Sequence, residues 1–379
     1  MIREVTVFSP GDSRSLTCWS NVPCLFTKSL ESKGIKVNRV NIYSNKYIRK
    51  TVWKYLIAPI VNWLYREHAY TYEQTSLNRA IINLKIKRAL SKYKRSDLNI
   101  FISYDYLPVD SNIPNVLLCD WTIEYLYTQR QRKIPCKWEQ DEIARQDHII
   151  ENADFVISLF PDIVKYMKER YKNRNIFYLE QNVINNAYEY PVDKSQIVLN
   201  KYRSQILLFI GREGYLEGAK MLVDSFQVLK RQYPKLELHI IGLTKNNFAF
   251  LPENVYCYGY LDKSDDKDRA CYYDLLLKAK VLINPTPLWA GYSSSVEAMY
   301  FYTPVVVSYY QSFVETFGEN ISFGRYLKEN TSLALSVLIR SILNQEESMY
   351  IHLCNAAHDA VKSFTWDSFV DKFLEKIKV

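Results

Sequence analysis

The chain is poor in the patterns that build metal centres, disulfide frameworks and membrane spans. Its seven cysteines, Cys18, Cys24, Cys119, Cys136, Cys257, Cys271 and Cys354, are odd in number and form no C-x-x-C pair. That argues against a disulfide framework and a zinc site, and for a reducing compartment. The five histidines stand at no metal-ligand spacing. No run of 18 apolar residues occurs, so nothing predicts a membrane-spanning helix. The N-terminus leads straight into a strand-like run, Val5-Thr6-Val7-Phe8, without a signal peptide. These absences predict a cytoplasmic protein, with peripheral attachment to the inner face of a membrane left open. Glycine is also scarce, with 10 residues against 31 tyrosines. Tyrosine-rich clefts suit carbohydrates, but composition alone identifies no ligand.

What is present is globular material, 48% hydrophobic and 24% charged, in 379 residues, enough for two domains with sizeable cores. Up to about residue 180, strands alternate with helices. Strands are predicted over Arg3–Phe8, Lys36–Ile42, Leu98–Ser103, Asn115–Cys119 and Asp154–Leu159. Helices are predicted over Val22–Ser32, Lys137–Glu151 and Pro161–Tyr171. Such alternation implies a mostly parallel, doubly wound sheet. Ligands of such sheets bind at the carboxyl ends of strands. The loops Ser9–Asn21, Tyr104–Asp110 and Asp120–Tyr127 are therefore singled out, with Asp12, Trp19, Asn21, Asp105, Asp120 and Glu124 as polar or aromatic candidates. A strand-end aspartate such as Asp120 either caps the next helix or serves the site. The stretch Gln181–Lys201, punctuated by Asn182, Asn185, Asn186 and Pro191, reads as a linker.

The second half repeats the alternation. A strand at Gln205–Ile210 is followed by Gly211, Arg212 and Gly214, then by a helix over Gly218–Tyr233. Strand, glycine loop and helix make a phosphate-binding arrangement. Further strands are predicted at Leu236–Ile241, ended by Gly242, and at Val255–Leu261. In K-V-L-I-N-P-T-P-L-W-A-G-Y-S-S-S-V-E-A-M, the run Val281–Ile283 is a buried strand, and Gly291, Tyr292 and Ser293, Ser294 and Ser295 lead into a helix. The helix start offers free N–H groups to an anion, and the serines add hydroxyl donors. Glu297, in the first turn, is placed to accept hydrogen bonds from a ribose diol. Thr303-Pro304 ends the helix and Val305–Val307 forms the next strand. Asp265, Asp266 and Asp268 read as a helix start rather than a metal site.

Glu297-Ala298-Met299 with Thr303-Pro304-Val305-Val306 resembles the donor-sugar site of retaining GT-B glycosyltransferases, family 4 above all. That family carries two glutamates eight residues apart before this text; here Trp289 occupies the first position. The stretch I-L-L-F-I-G-R-E-G-Y-L-E-G-A-K is similar to the family's F-V-G-R followed by K-G, with Arg212 on the arginine and Glu217 where the lysine belongs. The closing S-F-T-W-D-S-F-V-D-K-F resembles the family's last helix. The resemblance implies an α/β fold of GT-B type, with two doubly wound Rossmann-like domains facing each other across a cleft. It implies an acceptor-side domain over 1–183, a nucleotide-sugar domain over 200–355, and a last helix over 356–379 that crosses back. It implies retaining, metal-independent transfer of a sugar from a nucleotide-sugar to a glycan or lipid-linked acceptor, in polysaccharide or glycoconjugate assembly. No cofactor is implied. Arg212 would clamp the diphosphate and Glu297 hold the ribose. Lys220, one turn beyond Glu217, is the candidate second cation; Tyr260 and Leu261 are the candidate base contacts, and Asp120 would lie near the reacting carbon. Gly211, Gly242, Gly291, Tyr292 and the three serines complete the candidate donor site. The two departures keep a non-catalytic GT-B scaffold and a nucleotide-sugar epimerase in view.

Between Lys46 and Arg95 stand twelve Lys or Arg and two Glu, interleaved with Trp53, Trp63 and several tyrosines. A basic, aromatic segment of this kind docks on anionic lipid, packs with a solvated basic face, or binds nucleic acid. No nucleic-acid motif accompanies it, so no nucleic-acid partner is expected.

Overall fold

The structure, a computed structural model, describes residues 2–43, 51, 53–60, 72–108, 111–180, 183–286 and 292–377. Trp63, Asp110, Trp289 and Gly291 lie outside the described residues, as does much of the segment 46–71. The chain divides into two units. One comprises Met1–Leu159, Ile163–Leu179 and Val370–Val379; the other comprises Phe160–Asp162 and Glu180–Phe369.

The first unit is built on β1 (Glu4–Ser9), β2 (Lys36–Asn41), β3 (Leu98–Phe101), β4 (Asn115–Cys119), β5 (Phe155–Ser158) and β6 (Ile176–Tyr178). Their order is β2-β1-β3-β4-β5-β6, and every pairing is parallel. β3 is buried along its whole length, as a parallel strand covered on both faces must be. Helices α1 (Val22–Ser32), α2 (Ser76–Lys92), α3 (Lys137–Asn152) and α4 (Pro161–Arg170) supply crossovers. The connection from β3 to β4 carries no helix among its described residues.

The second unit holds β7 (Ile206–Ile210), β8 (Glu237–Ile241), β9 (Val255–Gly259), β10 (Val281–Asn284), β11 (Val305–Ser308) and β12 (Gly324–Leu327). The order is β12-β11-β10-β7-β8-β9, again all parallel. The chain winds outward from β7 to β9, then returns to β10 on the other side of β7. The strand order therefore reverses between β7 and β10, and the carboxyl ends of these two strands flank the crevice where such sheets bind ligands. Val305, Val306 and Val307 are all fully buried, which explains a run of three β-branched residues.

Residues 194–201, read from the sequence as the end of a linker, belong to a helix, α5 (Lys194–Arg203). What the linker reading misses is the burial of Val198 and Lys201 against the second unit. The Lys201 ammonium donates to the carbonyls of Leu276 at 2.5 Å and Ala279 at 3.1 Å, and to Thr303 Oγ1 at 2.8 Å. It thereby closes the carboxyl end of α7 (Asp266–Lys278), whose last carbonyls lack helical partners. Burial pushes its pKa down to about 7, while the carbonyl dipoles favour the charged form.

Candidate functional site

The site is built first from backbone that only glycine allows. Gly211 follows β7 and donates its N–H to the Ile241 carbonyl at 3.0 Å. A Cβ there would stand 2.8 Å from Tyr215 Cβ. Gly242 follows β8 with φ +97°, and a Cβ on it would be driven into the Gly211 carbonyl. These two glycines, both expected from the sequence to touch the donor, are explained by the close approach of neighbouring strand ends. Gly218, in the first turn of α6 (Leu216–Lys230), has the same logic: a Cβ would lie 2.9 Å from the Thr286 backbone N, just past β10. The missing side chain seats α6 against the switch point.

On this scaffold Arg212 is exposed, and its guanidinium sits 5.3 Å from the Tyr260 ring centroid. The structure thus brings together two residues 48 positions apart in sequence, at the carboxyl ends of β7 and β9. This is cation–π distance, and it leaves both the cation and the 56%-exposed ring open to a ligand. Lys220 is exposed on α6, and Glu217 is exposed in its first turn. Leu261 is buried, so its side chain faces the interior.

α8 (Ser293–Tyr300) starts without a side-chain cap. The first N–H groups of a helix have no partner within it. Ser293 and Ser294 are half-buried there, whereas Ser295 is fully buried with no hydrogen-bond partner for its hydroxyl among the described residues. Tyr292 corrects the sequence expectation. It is fully buried, its ring centroid 5.3 Å from Phe313 and 5.6 Å from Phe160, and its hydroxyl shares a hydrogen bond with Thr316. It anchors the start of α8 to an aromatic core and presents nothing to a donor.

Glu297 also lies inside, 2% exposed. Its Oε1 accepts from Lys263 Nζ at 2.7 Å and Tyr273 Oη at 3.1 Å, and its Oε2 accepts from Tyr272 Oη at 2.8 Å. Lys263 also donates to the Asn185 carbonyl at 3.2 Å, and the Ala187 N–H donates to Tyr273 Oη at 2.6 Å. The side chain is therefore the buried counter-ion of Lys263 and ties α7, α8 and the 185–187 segment together. An open carboxylate facing a ribose diol is not what the geometry gives. Burial lowers the Lys263 pKa and the Glu297 charge opposes that; burial and the same charge hold Tyr272 well above the usual phenol range. Sequence reasoning passed over Lys263, Tyr272 and Tyr273. The one available signal was a tyrosine pair, 272–273, in the middle of a helix that opens polar and ends on Leu275, Leu276 and Leu277.

Asp265 accepts from the backbone N–H of Lys267 and Asp268, each at 3.0 Å, so the acidic cluster caps α7. In the first unit, Asp120 stands at the carboxyl end of β4. Its Oδ1 accepts from the Trp121 N–H at 2.9 Å and the Cys119 thiol at 3.3 Å. It does not cap the next helical turn: Thr122 does, accepting from the Tyr125 N–H at 3.2 Å. Burial raises the Asp120 carboxyl above its usual pKa. After β1, Trp19, Ser20 and Asn21 all adopt left-handed backbone, at φ 36°, 54° and 74°. Three consecutive non-glycine residues there carry a steric cost.

Residues 193–358 match the Glycosyl transferases group 1 family. The match falls within the second unit and covers Arg212, Tyr260 and the α8 N-terminus. No curated protein matches the chain in sequence. Among solved structures, the chain resembles the sucrose-phosphate synthase of Thermosynechococcus elongatus, with TM-score 0.68, 15% identity and 98% of each chain covered. It resembles WaaG, a glycosyltransferase involved in lipopolysaccharide biosynthesis, with TM-score 0.67, 12% identity and 99% of each chain covered. It also resembles Anabaena Alr3699/HepE, solved with UDP-glucose, with TM-score 0.63, 12% identity, and 99% of this chain and 100% of that one covered. At such identities the likeness is one of fold. The fold is α/β of the GT-B type.

Proposed function

We propose that the chain is a retaining, family 4-type glycosyltransferase that moves a sugar from a nucleoside-diphosphate sugar to a hydroxyl of a glycan or lipid-linked acceptor without a metal. The observation that carries this reading is an exposed arginine on the loop after β7, at the switch point of a glycosyltransferase group 1 domain. Negative charge grows on the diphosphate as the sugar departs. A fixed guanidinium and the free N–H groups of α8, with the Ser293 and Ser294 hydroxyls, stabilise that charge more in the transition state than in the ground state. Lys220 adds a second cation nearby in sequence. The exposed Tyr260 ring offers a face to the base. Glu297 acts as a positioning residue, holding Lys263 and the two tyrosines behind α8. Asp120, at a strand end of the first unit, is the candidate on the acceptor side.

Thermal-shift screening with UDP-, GDP-, dTDP- and CMP-sugars tests the donor class, and the anomeric configuration of the product, read by NMR, tests retention. Transfer that survives EDTA supports the metal-free reading. Transfer abolished by EDTA and restored by manganese or magnesium overturns it.

The setting follows from α2. Its Leu77 and Leu84, seven residues apart on one helix face, are 46% and 47% exposed, and Lys87 and Arg88 are exposed one turn further on. No described helix is long and apolar enough to cross a membrane. An apolar stripe with cations beside it lies in the interface of an anionic bilayer. This supports a setting at a cytoplasmic membrane face, where a lipid-linked acceptor would be available. Liposome flotation should show binding that rises with anionic lipid and falls with salt. It should weaken in a Leu77→Ser, Leu84→Ser, Lys87→Gln, Arg88→Gln variant. A protein that ignores anionic liposomes at low salt has a solvated basic face and a soluble acceptor.

A further inference from the structure

Parallel neighbours in a sheet are normally joined by a crossover helix, and the crossover is right-handed. From β2 to β5 the chain steps across the first sheet in one direction, so α2, any helix between β3 and β4, and α3 belong on one face. Among the described residues between Phe101 and Asn115 none is helical, so they supply no middle helix. Its place is a groove of ≈ 470 Å³, walled by α2, α3 and the 105–108 loop. That volume suits a small ligand.

The charges in this groove are already matched. Two arginines and two aspartates line it, Arg79 and Arg145 against Asp105 and Asp154. Glu142 holds Arg79 at 2.5 Å and Arg145 at 2.6 Å. Asp105 accepts from Gln146 at 2.8 Å and Ser103 at 3.0 Å, and Asp154 accepts from the Asn115 N–H at 2.8 Å. An anion would meet guanidiniums already paired with Glu142, and a cation would meet Asp105 with both oxygens already accepting and Asp154 with one. Apart from His148 and the second oxygen of Asp154, what remains for a ligand is neutral. Asn83 and Asn152 stand exposed on the facing helices; the Asn152 amide nitrogen donates to the His148 carbonyl at 2.7 Å and lies 3.2 Å from His148 Nδ1, whereas the Asn83 amide makes no hydrogen bond among the described residues. An amide of this kind both donates and accepts, as a vicinal diol does. Tyr106 and Ile149 supply apolar surface beside them.

We infer that this groove binds a neutral oligosaccharide, in a site of the first unit separate from the donor residues of the second. The assignment does not depend on the transferase reading, because no donor residue lines the groove. It gives the chain a second point of attachment to a glycan.

The test is saturation-transfer NMR and calorimetry on the full chain with maltotetraose and cellotetraose, alone and with saturating UDP. Saturable binding of at least one oligosaccharide is expected, unchanged by UDP or by Arg212→Ala. Asn83→Trp, at an exposed helix position where a folded protein is expected, fills the groove and should weaken binding about tenfold or more, a loss of about 1.4 kcal/mol. Asn152→Trp should do the same from the opposite wall. The inference is overturned if folded wild-type protein binds neither oligosaccharide. It is equally overturned if both tryptophan variants bind as wild type, or if inorganic phosphate displaces the sugar. Loss of transfer in Arg212→Ala with binding intact would separate this site from the donor site.

Discussion

Two polar clusters of the second unit stand on the same recognisable motifs and live in opposite environments. Arg212 and Tyr260 meet at the surface, with a cation and a ring left open. Lys263, Glu297, Tyr272 and Tyr273 meet in the interior, where donors and acceptors satisfy one another. The first cluster costs little to maintain and is free to bind. The second must stay complete, because a buried charge stripped of its partner is far costlier than the pair is worth. A motif letter therefore does not say whether a charge faces a ligand or another side chain.

The sharpest way to break the comparison is at Glu297. Glu297→Ala leaves the Lys263 ammonium buried without its carboxylate, and we expect a loss of about 3–5 kcal/mol in urea unfolding. Adding Lys263→Met should restore much of it, since removing both charges removes the desolvation burden. If Glu297→Ala alone unfolds at the wild-type urea midpoint, the carboxylate is not the structural counter-ion described here.

Arg212→Ala should do the reverse. Stability should move by no more than about 0.5 kcal/mol, as for a surface change. Transfer should fall by about 2–4 kcal/mol in transition-state terms, mainly in kcat. Unchanged transfer and unchanged nucleotide binding would remove Arg212 from the donor site.

Much of the fold was legible because strands buried on both faces leave continuous apolar runs. Val305–Val307 and Leu207–Phe209 declare themselves, and Thr303-Pro304 marks a helix end. The linker helix α5 was not legible, because what buries its Lys201 is two carbonyls and a threonine hydroxyl that no pattern announces. In the site, the loop that carries Arg212 followed from strand, glycine and helix, whereas the diphosphate role given to Arg212 came only from the family resemblance. The burial of Tyr292 and Glu297 did not follow, since a loop tyrosine and a glutamate near a helix start read the same from sequence whether they point out or in, and α8 starts at Ser293, which puts Glu297 beyond its first turn. Gly242 was legible as a special position, but the reason is the Gly211 carbonyl.

Lys201 sharpens the buried side of the comparison by supplying a cation with no carboxylate partner. With its folded pKa near 7 and an ordinary lysine pKa near 10.5 when unfolded, both states are protonated below pH 7 and the burial cost is fully present. Between about pH 7 and 10 the unfolded chain holds a proton the folded chain has released, so unfolding free energy should rise with pH, by at most about 1.4 kcal/mol per unit. Above about pH 10 the buried tyrosines reverse the trend, because the unfolded phenols ionise first. Lys201→Met should flatten the rise between pH 7 and 10. A wild-type curve already flat over that range would mean that the three acceptors keep the ammonium charged.

The smallest effect expected is at Tyr260. Its ring is half open to solvent, so its stacking on Arg212 is worth about 0.5–1 kcal/mol, as for exposed cation–π contacts. Tyr260→Ala should therefore leave stability almost unchanged. It should weaken nucleotide binding by a few-fold if the ring takes the base, and that loss should shrink when Arg212 is already alanine, because the two side chains share one ligand surface. Tyr260→Phe separates ring from hydroxyl: it should bind nucleotide as wild type does. Calorimetric titration of a nucleoside diphosphate into the four proteins reads all of this. Losses that add without coupling in the double variant would show that Arg212 and Tyr260 meet in the free protein but do not act together on a donor.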